Sequence, residues 1–211
     1  MSKERIEKII SLLKKNYPEV RITLDFNGPY QLLMATILSA QCTDERVNKI
    51  SPALFKEYKN ARSLAGAKPA ELEKLIRTTG FYKSKARSLK KTASAIVRDF
   101  KGRIPSTMEE LITLHGVARK TANVVLFNAF GKKEGIAVDT HVKRLSQRLG
   151  FTGHTNPIKI EQDLMQKIKK KDWGQISLLL ITHGRTICTA RKPKCSECFL
   201  NKLCPSTGKV K

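Results

Sequence analysis

The sequence predicts an all-α protein of two helical domains. Three observations lead there. Apolar residues recur at helical spacing along nearly the whole chain, no strand-like alternation persists beyond a few residues, and short Gly/Pro connections punctuate the pattern. About ten helices are expected. Ile6, Ile9, Ile10 and Leu13 form one face of an N-terminal helix. Pro29 suits a first helical position ahead of Tyr30, Leu33, Met34, Ile37 and Leu38. Cys42, in this apolar context, is expected to be a small buried hydrophobe. Thr43 can cap a helix burying Val47, Ile50 and Leu54, and Pro69 opens a short one with Leu72, Leu75 and Ile76. Thr107 and Glu110 match a capping box before Leu111 and Leu114. Later helices carry Val142, Leu145 and Leu149, then Ile160, Leu164 and Ile168, then Ile176, Leu179 and Leu180. Helix count and loop positions imply a discontinuous division. A middle domain, residues 22–133, packs against one built from both chain ends, 1–21 and 134–211.

The charge selects the class of partner. The chain has 211 residues, 40% of them hydrophobic, which is enough for a core and excludes wholesale disorder. Lys and Arg number 41 against 18 Asp and Glu, a net charge of +23. Such an excess predicts a polyanion, either nucleic acid or an anionic membrane surface. The longest apolar stretch, Ile176 to Ile181, is far short of the roughly 20 residues a membrane span needs. Met1-Ser2-Lys3-Glu4-Arg5 has no secretion-signal character, so a cytoplasmic protein is expected. The segment Ser84–Phe100 gathers Ala86, Leu89, Ala93, Ile96, Val97 and Phe100 in one sector and Lys83, Arg87, Lys90, Lys91 and Arg98 in an adjacent one. From Lys83 to Arg103 there are eight basic residues and one acid, Asp99. This face is either a solvated surface or a phosphate contact, and the overall charge favours the latter.

A cytoplasmic chain has little use for disulfides. Yet four of the five cysteines fall in the last 24 residues, with Cys188, Cys195, Cys198 and Cys204 spaced C-x6-C-x2-C-x5-C. Four soft thiolates suit zinc or an iron–sulfur cluster. Zinc ribbons pair two C-x2-C knuckles, and the single knuckle here leans toward [4Fe–4S]. From Arg185 onward the basic residues Arg185, Arg191, Lys192, Lys194, Lys202, Lys209 and Lys211 face one acid, Glu197. A cluster can therefore hold a basic loop against a phosphate backbone without doing redox chemistry.

The segment Leu114-His115-Gly116-Val117-Ala118-Arg119-Lys120-Thr121-Ala122 joins two helical patterns through a tight turn. Gly116 permits positive φ, and a helix beginning near Ala118 offers free N–H groups to a phosphate. Lys120, in its first turn beside Arg119, sits where positive charge disfavours the ammonium. It is a candidate amine nucleophile, while plain phosphate binding is the commoner role for such a lysine. In Val138-Asp139-Thr140-His141-Val142, Asp139 is by default an N-cap, and His141 is a helix-surface side chain or a phosphate donor.

These residues resemble the endonuclease III family of DNA glycosylases over essentially the whole chain. The likeness rests on Leu38-Ser39-Ala40-Gln41-Cys42-Thr43-Asp44, the hairpin, Val138-Asp139-Thr140-His141, His183-Gly184-Arg185 and the cysteine spacing. It implies a six-helix barrel with a helix-hairpin-helix at about 107–128, an iron–sulfur domain with its cluster loop at 188–204, and DNA held between the two. Lys120 is then the nucleophile and Asp139 the essential carboxylate. Cys188, Cys195, Cys198 and Cys204 are the [4Fe–4S] ligands. Gln41 fills the gap left by an everted base, and Phe81 wedges at the opposite strand. Gly116, Ala118, Arg119, Thr121 and His141 are DNA contacts. His115 and Ala118 depart from the family's Leu-Pro-Gly-Val-Gly hairpin, which bears on phosphate affinity and leaves the chemistry alone. Thr36 stands where related adenine glycosylases carry a catalytic glutamate, which argues against adenine excision. The resemblance thus implies a monomeric, nucleoid-associated enzyme of base excision repair. It removes oxidised pyrimidines from duplex DNA and cleaves 3′ to the abasic site through a lysine Schiff base. The rival is a non-catalytic iron–sulfur DNA-binding protein, which the hairpin and charge fit equally and the Lys120–Asp139 pairing does not.

Overall fold

Short-range chemistry sets where the helices begin. A computed structural model describes residues 2–209, so Met1 and the Lys211 of the basic tail lie outside the described residues. Among the described residues there are eleven α-helices and no strand. They are α1 (Lys3–Asn16), α2 (Gly28–Leu38), α3 (Asp44–Glu57), α4 (Ala61–Ala65), α5 (Pro69–Ile76), α6 (Tyr82–Phe100), α7 (Met108–Leu111), α8 (Arg119–Phe130), α9 (Thr140–Arg148), α10 (Pro157–Lys167) and α11 (Trp173–Thr186). Thr43 caps α3 as expected, its hydroxyl accepting from the Arg46 N–H. Such a cap contributes about 1 kcal/mol. Thr107 Oγ1 accepts from the Glu110 N–H at 3.3 Å and donates to the Glu110 carboxylate at 3.0 Å, starting α7. The helix expected from Ser84 begins two residues earlier, at Tyr82.

The chain divides into two compact units, Thr23–Lys132 and Met1–Ile22 with Lys133–Lys211. In the first, α2 is the axis. Leu32 through Leu38 are all buried, because the stretch carries no charged side chain and is packed by α8, α6 and α3. The helices around it are amphipathic, and α6 turns Ala86, Leu89, Ala93 and Ile96 inward. Cys42 corrects the expectation. It lies in the turn after α2, partly exposed, because the helix ends at Leu38 and the chain turns through Gln41, at φ +52°, before the cysteine can join the buried face.

In the second unit α11 packs against α1 and α9. Its core includes Ile6, Ile9 and Leu13, then Val142 and Leu145, then Leu164, Leu179 and Leu180. Arg5 ties the two chain ends together, donating through Nε to the Leu203 carbonyl and through Nη2 to the Leu149 carbonyl, both at 2.8 Å. Lys14 reaches Asp172 at 2.5 Å, fastening α1 beside the start of α11.

Candidate functional site

The hairpin is built from below. Gly116 has φ +76°, the left-handed region glycine enters without strain. A Cβ there would meet Ser88 Cβ at 3.7 Å, so the turn lies close on α6. Thr92 of α6 donates its hydroxyl to the His115 carbonyl at 2.6 Å, and Val117 is buried beneath. α8 then starts with Ala118 as N-cap, and no side chain caps it. Its first N–H groups therefore keep their bonding capacity for an external anion. Lys120 is exposed in that first turn, and Arg119 and Thr121 flank it partly buried.

The start of α9 is arranged differently. Asp139 is the N-cap and Oδ1 accepts from the Val142 N–H at 2.7 Å, so the default role read from sequence holds. Oδ2 meets His141 Nδ1 at 3.3 Å, with the Asp139 side chain 18% exposed. One carboxylate oxygen thus fixes the backbone and the other orients an imidazole. Gly184 of α11 allows this packing. A Cβ there would lie 3.0 Å from Arg144 Nη2, 3.1 Å from Leu145 Cδ1 and 3.2 Å from His141 Cδ2. The glycine of His183-Gly184-Arg185 is therefore a point of close approach between α11 and α9.

Gln41 and Phe81 occupy two turns with a shared oddity. Gln41 has φ +52° and Phe81 φ +47°, and both are exposed. Phe81 is 69% exposed, an unfavourable place for a large apolar ring. Lys85, which sequence reasoning missed, is only 6% exposed just beyond it. The available signal was its register. Lys85 precedes Leu89 by four residues, on the apolar stripe rather than the basic sector.

The four C-terminal cysteines line one cavity of about 30 Å³, walled by apolar side chains that include Leu145, Leu149 and Leu200. Arg148 donates to Cys188 Sγ at 3.3 Å and to the Thr189 and Ala190 carbonyls at 2.7 Å. Cys198 Sγ lies 3.5 Å from His183 Nε2, whose Nδ1 meets the Tyr17 hydroxyl at 3.0 Å. Burial pushes the Cys198 thiol pKa up, and the other three thiols add to it. The buried His183 ring is pushed down to about 4 by desolvation. Among the described residues no three His, Cys, Asp or Glu side chains converge on a single ion. Four thiols around one apolar cavity, with the Arg148 N–H behind Cys188, fit a sulfur-ligated cluster better than one zinc.

A groove of about 650 Å³ runs along the basic sector of α6 in the first unit. It is lined by Lys83, Arg87, Lys90, Lys91 and Arg98 with His115 of the hairpin, and Glu73 is the one acid in the lining. Arg98 is paired with Asp99 at 2.7 Å, and Lys90 donates to the Ala67 carbonyl at 2.6 Å.

The tight turn at Gly116 leading into the uncapped start of α8 is a helix-hairpin-helix, and the second unit adds a thiol-lined centre to it. A family model for the HhH-GPD superfamily base excision DNA repair proteins matches residues 34–170, and one for the iron-sulfur binding domain of endonuclease III matches 188–204. Endonuclease III of Synechocystis sp. is 56% identical over 204 residues, covering 97% of this chain and 93% of the relative. Endonuclease III of Thermotoga maritima is 39% identical over 199 residues, covering 94% and 92%. A trapped endonuclease III–DNA covalent intermediate superposes with a TM-score of 0.94 at 38% identity, covering 99% of this chain and 98% of that one. A thermostable thymine-DNA glycosylase does so with 0.89 at 26%, covering 98% of each. The chain belongs to the endonuclease III family. It is a base excision repair DNA glycosylase and AP lyase carrying a [4Fe–4S] cluster, not a non-catalytic binding protein. Among the described residues no helix is long and apolar enough to cross a membrane.

Proposed function

We propose that the chain excises oxidised pyrimidines from duplex DNA and nicks 3′ to the resulting abasic site, with Lys120 as nucleophile and Asp139 as the essential carboxylate. The observation that carries this reading is the exposed amine of Lys120 in the first turn of a helix whose N-terminus no side chain caps. An amine there lies beside the place where a DNA phosphate is held. The target nucleotide is everted, because C1′ is inaccessible within the duplex. Asp139 takes a proton from the Lys120 ammonium and stabilises positive charge developing on the sugar. The neutral amine attacks C1′, the C1′–N bond breaks, and the base leaves with the bonding electrons and is protonated. Ring opening yields an iminium. It acidifies the C2′ proton, whose loss expels the 3′ phosphate, and hydrolysis then frees the lysine.

Gly116, Ala118, Arg119 and Thr121 hold the backbone at the hairpin. His141, oriented by Asp139, offers its other ring nitrogen to DNA. Gln41 fills the space vacated by the flipped nucleotide, and Phe81 wedges at the opposite strand. The basic sector of α6 adds phosphate contacts along its groove. Cys188, Cys195, Cys198 and Cys204 hold the cluster, which supplies an electron-rich, redox-capable centre and a covalent anchor for the loop. Arg148 directs an N–H group at Cys188 and the His183 ring lies against Cys198, and the basic loop 188–204 is thereby set against the backbone. We assign the barrel to 22–133 and the cluster domain to 1–21 with 134–211, and place the enzyme as a monomer on chromosomal DNA in the cytoplasm.

The test is borohydride trapping on a duplex containing an oxidised pyrimidine. A covalent adduct is expected with the native chain and none with Lys120→Ala. An adduct that survives the substitution rejects the role of Lys120. A panel of lesion duplexes assayed side by side checks the substrate class, and preference for uracil or thymine mismatches would overturn it.

A further inference from the structure

Lys85 has no part in that chemistry, yet it is the lysine the fold buries. Its Nζ donates to the Thr79 carbonyl at 2.7 Å, and its backbone N–H donates to the Phe81 carbonyl at 3.0 Å. One residue therefore grips the turn on both sides of Gly80. Thr79, itself 2% exposed, donates its hydroxyl to the Ile76 carbonyl at 2.8 Å and lies 3.4 Å from the Gly80 carbonyl. Above this support Gly80 has φ +70° and Phe81 φ +47°.

A bulky residue in the left-handed region is strained, and a phenyl ring held in water is costly. Something must maintain both. Burying an ammonium is costly as well, and desolvation lowers the Lys85 pKa, partly offset by the nearby Cys42 sulfur. Methionine would fill similar space without either cost. Packing alone thus gives no reason for an amine at this position, whereas the bond to Thr79 does. The proximity to Cys42 also sets Lys85 next to the turn that carries Gln41.

We propose that Lys85 is a positioning residue that locks the Thr79–Phe81 turn, so that the Phe81 ring is presented in a single orientation for insertion opposite an everted nucleotide. This rests on the wedge role assigned to Phe81.

The test is a double-mutant cycle in the holoenzyme: native chain, Phe81→Ala, Lys85→Met and the double variant. The duplex carries 2-aminopurine opposite the lesion, and single-turnover excision and the fluorescence of the displaced base are read together. Lys85→Met is expected to keep the cluster absorbance and the melting temperature, to lose the fluorescence change, and to slow excision about tenfold. The double variant is expected to be no slower than Phe81→Ala, because Lys85 acts through that ring. Multiplying effects, or native behaviour of Lys85→Met, overturn the proposal while leaving the wedge intact. Native rates for Phe81→Ala reject the wedge, and with it any action of Lys85 through that ring. If Lys85→Met does not fold, Lys85→Gln, with a donor of shorter reach, takes its place in the same cycle.

Discussion

Two helix starts, one in each unit, are built oppositely. α8 begins at Ala118 with no side-chain cap, whereas α9 begins at Asp139, whose own carboxylate occupies the Val142 N–H. A side-chain cap consumes the anion site that a helix N-terminus offers, and its absence leaves that site for a ligand. In the proposed function the first start receives a phosphate. The second is closed to anions and uses its cap to immobilise a carboxylate. The same local element therefore leaves its N–H groups open or fills them with its own carboxylate, depending on one residue.

Substitutions can break or sharpen this contrast. The largest effect is expected from Lys120→Ala, which should lower excision and strand cleavage by about 10³-fold or more while duplex binding persists. Asp139→Asn isolates the carboxylate's chemistry, because asparagine caps as well as aspartate. Turnover should fall by about 10²-fold with the melting temperature nearly unchanged. A large drop in melting temperature with normal specific activity would return Asp139 to a purely structural role. Ala118→Asp gives α8 the cap it lacks. It should stabilise the fold by up to about 1 kcal/mol and weaken DNA binding about tenfold, because its carboxylate competes with phosphate. Tighter binding would show that the hairpin does not use these N–H groups.

Smaller effects test what surrounds the two starts. Gly184→Ala adds a methyl within 3.2 Å of Arg144, Leu145 and His141 and should cost about 1–3 kcal/mol in denaturant unfolding. Its expected loss of turnover then tracks displacement of His141 rather than of Lys120. Neutralising Arg87 and Lys91 together should reduce the slope of log affinity against log salt by about 2, equally for damaged and undamaged duplexes. An unchanged slope would leave the α6 sector a solvated face.

Much of the fold was legible because its signals are short-range. Thr43, Thr107 and Asp139 cap their helices through bonds to residues three positions away. Apolar spacing located α2 and α6 to within a few residues. The cysteine spacing alone pointed to a cluster, since ligand separations along the chain limit what four thiolates can share. Cys42 went astray for a tertiary reason. Its preceding neighbours are apolar, but α2 stops at Leu38 and the cysteine is left partly exposed in the turn that follows.

By itself the sequence determined the all-α class, the helix starts, the thiol cage and the residue types available for chemistry, because each depends on contacts within a few residues. Only the tertiary structure decided that Lys85 is buried and bonded to Thr79, that Gly184 lets α11 pack closely on α9, and that Arg148 and His183 face the thiols. Those facts depend on which distant surfaces meet, and no local spacing specifies where an ammonium or a methyl group will find room.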